Sequence, residues 1–137
     1  TDLALEKVHG DREAWQKVAR EHIVVGREKT DCIFAHPIPG KTLAIRHGAV
    51  IADQRLILYT AIADAAARRK VPPVQVGFRA RAGEKSVESR FAQPSKSGFH
   101  VVELRVDELA KGPKEIEIDL ETQSAGAQHF CFMLEGE

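Results

Sequence analysis

The sequence has no excess of charge of either sign, because 20 Lys and Arg residues balance 20 Asp and Glu residues. Proteins that bind nucleic acid through its phosphates usually carry a basic excess, so the balance argues against a nucleic-acid partner. The sequence also lacks any run of about 18 apolar residues, so no membrane-spanning helix is predicted. It begins at Thr1 rather than at a methionine, and we expect a mature or trimmed form without a signal peptide.

Cysteine is scarce, with only Cys32 and Cys131 in the chain. Each lies in a short apolar segment with a histidine, His36 or His129, two to four positions away. We interpret the two segments as strands that meet in space. The pair can form a disulfide, which would imply an oxidising compartment. It can instead form a zinc or copper site with the two histidines, or remain as two buried, unreactive thiols.

The chemical motifs of many enzymes are also missing, since no phosphate-binding glycine loop, nucleophile elbow or zinc-protease helix is found. What is present is an ordinary globular composition, with 43% hydrophobic and 29% charged residues. The length of 137 residues suits one domain, which can bury roughly two-thirds of its unfolded surface.

Residues 1–22 are predicted to form a helical segment. Trp15, Val18 and His22 lie at positions i, i+3 and i+7, which places them on one face of a helix. We expect this segment to pack on a second unit, residues 23–137, whose pattern is that of a β-sandwich.

The rest of the chain reads as strands separated by turns. The longest apolar run, Leu56–Ile62, predicts a central strand that is buried on both faces. Residues 74–78 alternate between apolar and other side chains, and Arg81–Glu84 contains the glycine of a hairpin turn. Eight or nine strands at such short spacing predict an antiparallel sandwich or barrel.

Three carboxylates near the end of the chain, Glu115, Glu117 and Asp119, alternate with apolar residues. Paired carboxylates can serve acid–base catalysis or bind calcium, but strict alternation is typical of a strand with one solvated face. We therefore predict a solvated face here. In the same way Arg79 is predicted to lie opposite the apolar face of its strand.

Two places carry polar residues that can hold a ligand. Arg46 and His47 follow a short predicted strand over residues 42–45, at what we expect to be an edge of the sandwich. Asp53 and Asp64 flank the central strand, and their oxygens are the ligand type that calcium prefers.

The block from residue 56 to residue 120 resembles a known fold family. The features that carry the resemblance are the apolar strand at 56–62, Val74-Gln75-Val76-Gly77-Phe78, the glycine turn at 83, the strand from Gly98-Phe99 to Val106-Asp107, and Ile116 to Leu120. They are similar to the galactose-binding-like jelly roll of carbohydrate-binding modules, especially the NPCBM type found beside glycoside hydrolases. The resemblance implies a non-catalytic module outside the cytoplasm whose first and last strands are neighbours, which supports a pairing of Cys32 with Cys131.

We therefore predict an all-β jelly-roll sandwich that acts as a binding or accessory module and not as an enzyme. The expected partner is a glycan or a cell-surface protein, and the expected ligand-binding residues are Arg46, His47 and Asp64. The expected location is periplasmic or secreted, or the ectodomain of a larger membrane-anchored protein, and no cofactor is required.

Two other functions remain open at this stage. One is a small metal-binding or redox protein that uses Cys32, His36, His129 and Cys131, with zinc, copper or, through the aspartates, calcium as its metal. The other is a structural ectodomain that presents a surface to a protein partner.

Overall fold

The structure, a computed structural model, describes residues 7–9, 18–25, 28–35, 37, 39–62, 64–68, 73–94, 98–123 and 130–137. Within these residues it contains the strands β1 (Lys7–His9), β2 (Val18–Val25), β3 (Glu28–Ala35), β4 (Thr42–Ile51), β5 (Arg55–Ile62), β6 (Val74–Ala82), β7 (Lys85–Gln93), β8 (His100–Arg105), β9 (Pro113–Glu121) and β10 (Phe130–Gly136). A single helical turn, α1 (Asp64–Ala67), follows β5. No helix in this part of the chain is long and apolar enough to span a membrane.

The strands form two five-stranded sheets that pack face to face. Sheet A has the order β1-β4-β9-β6-β7, and sheet B has the order β2-β3-β10-β5-β8. Every pairing between neighbouring strands is antiparallel. The predicted antiparallel jelly-roll sandwich is confirmed.

The chain crosses between the two sheets at most of its connections. Only β2–β3 and β6–β7 are consecutive strands that pair with each other. The β6–β7 hairpin turns at Gly83, whose φ of +63° is a conformation that glycine adopts without steric cost, as the sequence predicted. Because β9 lies between β4 and β6, one face of sheet A combines residues from three distant segments.

The core lies between the sheets and follows the alternation of each strand. Phe78, Phe130 and Phe132 are fully buried there, and each such side chain contributes roughly 1.5 to 3 kcal/mol through burial. The strand β5 is buried along most of its length on both faces, as predicted for Leu56–Ile62. The strand β5 has a hydrogen-bonded neighbour on each side. Ala61, on its outer face, packs with Cys32 and Cys131 in a second, smaller buried cluster.

The helix predicted for residues 1–22 is wrong for 7–9 and 18–22, which are strands in sheets A and B. The strand β2 pairs with β3 over eight residues, and this ladder outweighs a helical periodicity of a few side chains. The strand β2 also crosses the boundary that was predicted, between residues 22 and 23, to separate the helical segment from the β-sandwich. Trp15 and the rest of the predicted helix lie outside the described residues.

The strand β4 continues well past the predicted end at residue 45. It runs to Ile51 and carries a β-bulge, because the two residues between His47 and Val50 face a single residue of β9. A bulge adds one residue to a strand and changes the direction of neighbouring side chains. The bulge places Arg46 and His47 within sheet A rather than at the end of a strand.

The segment 136–137 is held against the turn between β4 and β5. Three consecutive backbone N–H groups, those of residues 53–55, donate to the main-chain oxygen of Glu137 at 3.1, 2.7 and 3.1 Å. Gly136 leaves no room for a side chain, since a Cβ there would lie 2.3 Å from the carbonyl oxygen of Ile51.

Candidate functional site

A cleft of about 430 Å³ lies on the outer face of sheet A. The strands β4, β9 and β6, which are neighbours in the sheet, provide its lining. The residues that line it are Arg46, His47, Gly48, Arg79, Arg81, Glu115, Ile116 and Glu117. Because three paired strands carry these side chains, their backbone positions are fixed by the hydrogen bonds of the sheet.

The cleft is built on a row of alternating charge that crosses four strands. Arg46 of β4 pairs in register with Glu117 of β9, which pairs with Arg79 of β6, which pairs with Glu88 of β7. Opposite charges in such cross-strand positions are favourable neighbours. The sheet thus sets positive and negative groups side by side at a regular spacing.

Two of the three arginines in the cleft are hydrogen-bonded to a carboxylate. Arg46 Nε donates to Glu117 Oε2 at 3.0 Å. Arg81 Nε donates to Glu115 Oε2 at 3.0 Å, and its Nη2 also donates to the same oxygen. These two pairs define the orientation of their guanidinium groups.

Arg79 differs from the other two. Its nearest carboxylate oxygens belong to Glu117 at 3.7 Å, Asp119 at 3.8 Å and Glu88 at 4.0 Å, all longer than a hydrogen bond. Its Nε is buried and has no hydrogen-bond partner among the described residues. The side chain is 41% exposed, so the rest of its guanidinium group is accessible from the cleft.

A smaller hollow of about 60 Å³ lies beside the cleft on the same face. Its floor is Gly77, where a Cβ would lie 3.6 Å from Arg90 Nη1 and 3.6 Å from Asp119 Cβ. Asp119 lines this hollow, and it lies two residues beyond Glu117 on the same side of β9.

The pKa values of Glu117 and Asp119 are shifted in opposite directions, because each carboxyl group affects the ionisation of the other. Burial raises the pKa of Asp119 to about 6, with the hydrogen bond and the negative charge of Glu117 acting in the same direction. Burial also opposes ionisation of Glu117, but the hydrogen bond to Asp119 and the charge of Arg46 outweigh it and lower the pKa of Glu117. The pair therefore holds a shared proton in weakly acidic solution.

Solved structures of carbohydrate-binding modules share this architecture. TmCBM61 in complex with β-1,4-galactotriose matches with a TM-score of 0.64 and 13% identity, over 96% of this chain and 88% of that one. The M60 catalytic domain with the CBM51-1 and CBM51-2 domains from Clostridium perfringens ZmpB matches with a TM-score of 0.57 and 14% identity, over 95% of this chain and 14% of that one.

The likeness concerns the fold. It confirms the predicted resemblance to the galactose-binding-like jelly roll of carbohydrate-binding modules. No protein-family profile matches the sequence, and no curated protein does. The chemistry of the site must therefore be argued from its own residues.

The structure brings two of the three predicted ligand-binding residues together. Arg46 and His47 both line the cleft. Asp64 does not, because it opens α1 after the last residue of β5 and is 8% exposed. A ligand-binding role for these three residues stays a prediction.

The idea that Asp53 and Asp64 share a calcium ion is wrong. The two residues lie at opposite ends of β5, which has eight residues. A strand rises about 3.3 Å per residue, so the two ends of β5 are roughly 23 Å apart, too far for one ion to contact both aspartates.

The predicted bridge between Cys32 and Cys131 is confirmed. The two sulfurs are bonded, and their Cα atoms are 5.9 Å apart. The bridge packs with Ala61 and Met133 on the outer face of sheet B. Both sulfurs are thus unavailable for the predicted four-residue metal site, whose His36 and His129 lie outside the described residues. Within the part that is described, no three His, Cys, Asp or Glu residues form a group that could hold a metal ion.

Arg79 and Arg81 are not among the residues predicted to bind a ligand, and Glu115 and Glu117 are predicted only to form a solvated face. A usable signal was present, since arginines on one predicted strand and carboxylates on another alternate with the same period of two. What the sequence did not show is that β6 and β9 are neighbours.

Proposed function

We propose that this protein is a non-catalytic carbohydrate-binding module that acts outside the cytoplasm and holds a glycan in the cleft of sheet A. The observation that carries the proposal is the alternation of arginine and carboxylate along that cleft. A sugar hydroxyl both donates and accepts hydrogen bonds. Guanidinium groups only donate and ionised carboxylates only accept, so a wall that alternates them offers a partner to each hydroxyl of a ring.

The fold supports the proposal but does not by itself identify a ligand. TmCBM61, which has the same architecture, is known in complex with β-1,4-galactotriose. A shared fold does not by itself imply a shared ligand, so the neutral galacto-oligosaccharide is the first compound to test rather than the expected best ligand.

The disulfide supports a location outside the cytoplasm. Bonds such as Cys32–Cys131 form and persist in oxidising compartments and are rare in the cytosol. Glycans of cell walls and cell surfaces are found in the same compartments, so a location outside the cytoplasm is consistent with a glycan ligand.

The test is a glycan screen followed by titration calorimetry with the best ligands and with β-1,4-galactotriose. Arg46→Ala should weaken binding about tenfold, because it removes a charge-assisted hydrogen-bond donor. Arg105→Ala is the matched control, since Arg105 lies on sheet B, is 77% exposed and pairs with Asp107. Failure of every glycan to bind, or equal losses in the two variants, would overturn the proposal.

A second candidate is a module that binds a cell-surface protein through sheet B. The observation that favours it is apolar exposure at the edge of that sheet, where Val101 is 52% and Phe99 36% exposed. Val101→Lys should then abolish binding to cells stripped of their glycans, whereas Arg46→Ala should not. The opposite pattern would leave the glycan cleft as the functional surface.

A further inference from the structure

The three arginines that line the cleft of sheet A differ in how their N–H donors are used. Arg46 and Arg81 are hydrogen-bonded to the cleft glutamates, Arg46 to Glu117 and Arg81 to Glu115. Arg79 has only ion pairs at 3.7 to 4.0 Å and no hydrogen bond to a carboxylate of the described residues.

Arg79 has the hydrogen-bonding capacity that an acidic ligand requires. A guanidinium group presents five N–H donors in a planar fork that matches a carboxylate. None of them is used within the described residues, because the closest carboxylate oxygens are 3.7 to 4.0 Å away. Arg81, by contrast, already uses two of its N–H groups in hydrogen bonds to Glu115, so it has fewer donors left for a ligand.

We infer that the glycan bound in this cleft contains a uronic acid, whose carboxylate pairs with Arg79. The inference rests on the proposed function and adds the chemical class of the ligand to it. A carboxylate can form two parallel hydrogen bonds with the fork, which a neutral hydroxymethyl group cannot do.

The neighbouring carboxylates do not prevent this pairing. Glu117 is already compensated by its hydrogen bond with Arg46. Glu88 lies 4.0 Å from Arg79 Nε and its side chain is 53% exposed, so solvent screens its charge. Burial raises the pKa of Asp119 to about 6, so that this group carries little negative charge in weakly acidic solution. Arg90, on the far side of Gly77, adds a further positive charge to the surface that a longer glycan would cover.

The experiment compares each uronic-acid oligosaccharide with its own methyl ester. The ester keeps the sugar, the linkage and the length but removes the charge. Galacturonate, glucuronate and mannuronate oligosaccharides and their esters are titrated into the whole chain by calorimetry, with β-1,4-galactotriose as the neutral reference. For at least one pair we expect the acid to bind about tenfold more tightly than the ester.

The variant Arg79→Gln assigns the difference to one residue. It keeps a polar side chain with two N–H donors, although a shorter one, and removes the charge, so the preference for the acid over the ester should disappear. Arg105→Gln, on the other sheet, should keep the full preference. Circular dichroism and thermal unfolding establish that both variants are folded, and the acid–ester comparison on the unmodified protein tests the inference without any variant.

The possible results distinguish failure of the acidic-ligand inference from failure of the proposed function. If a neutral glycan binds as tightly as every acid, or if Arg79→Gln keeps the preference for the acid, the inference is wrong while the carbohydrate-binding proposal stands. If neither acids nor neutral glycans bind, the proposed function itself is wrong.

Discussion

The central strands of the two sheets carry different side chains on their outer faces, although sheet B also has ion pairs, such as Arg55–Glu103. The outer face of sheet A is a lattice of arginines and carboxylates around a cleft. The outer face of sheet B carries the disulfide, Ala61, Met133 and, in register with Met133, the half-buried Tyr59. Under the proposed function, sheet A offers hydrogen-bonding groups to a ligand, while the disulfide on sheet B contributes to stability. Changes on one face should therefore leave the property of the other face intact.

The largest effect is expected from removal of the bridge on sheet B. The double variant Cys32→Ala, Cys131→Ala should lower the free energy of unfolding by about 4 to 5 kcal/mol, because the bridge closes a loop of nearly a hundred residues. Urea denaturation measures the change, with unmodified protein in reductant as a parallel sample. Glycan affinity of the folded fraction should not change. An unaltered denaturation midpoint would contradict the assignment of stability to this face.

A smaller loss is expected where the chain packs most tightly. Gly136→Ala should cost about 1 to 3 kcal/mol, because the new methyl group would collide with the carbonyl oxygen of Ile51. The matched control is Gly77→Ala on sheet A, where the nearest atoms would be 3.6 Å from the new Cβ. Thermal unfolding should show a lower midpoint for the first variant only. Equal midpoints would show that residue 136 can shift without cost.

The third prediction concerns the pH dependence of stability. The pKa of Asp119 is raised to about 6 in the folded protein by burial and by Glu117, while Arg79 and Arg90 act against it. A carboxyl with a raised folded-state pKa binds its proton more tightly when folded, so its contribution to stability is most favourable at low pH. That contribution is lost as the pH rises from near 4 to about 6.

Asp119→Asn removes this dependence. The free energy of unfolding of the unmodified protein, relative to the variant, should fall by about 1 kcal/mol between pH 4 and pH 7, allowing for solvent screening. Denaturation at a series of pH values measures it. The other charged groups near Asp119, namely Glu117 and Glu121 on β9, Arg79 on β6 and Arg90 on β7, are present in both proteins. Parallel pH profiles would contradict the assignment.

The smallest change in stability should follow from loss of one exposed ion pair on sheet A. In Arg81→Ala, the pair lost is 56% and 62% exposed, and such pairs contribute between about 0 and 1 kcal/mol. Arg105→Ala on sheet B loses a similarly exposed pair and should be equally harmless to stability. Only the first should reduce glycan affinity. Equal affinities of the two variants would remove the functional distinction between the faces.

Most of the architecture could be predicted because it depends on local patterns of apolar and polar residues in the sequence. Alternation along residues 74–78 and 116–120 places side chains on one face or the other without knowledge of the partner strand. The glycine of the 81–84 turn and the apolar run 56–62 act in the same local way. The bridge between Cys32 and Cys131 was one of three hypotheses from the residues and gained support from the resemblance alone.

The cleft was harder to predict because it depends on which strands are neighbours. Arg79 and Glu117 are separated by 38 positions in the sequence, and only the insertion of β9 between β4 and β6 brings them together. The second obstacle was the bulge in β4, because the strand predicted for residues 42–45 in fact continues to Ile51. The N-terminal helix was predicted from a few periodic side chains, whereas pairing with β3 determines the conformation of residues 18–22.

The position of β10 has a consequence for biogenesis. This strand lies between β3 and β5, so before residues 130–137 are in place sheet B exists as two separate pairs, β2-β3 and β5-β8. Two unpaired strand edges then face each other, and such edges readily join the edges of other chains. Contacts between strands far apart in the sequence also form slowly. The two edges therefore stay open to pairing with other chains until the last strand has inserted, and the Cys32–Cys131 bond can form only once β10 lies beside β3.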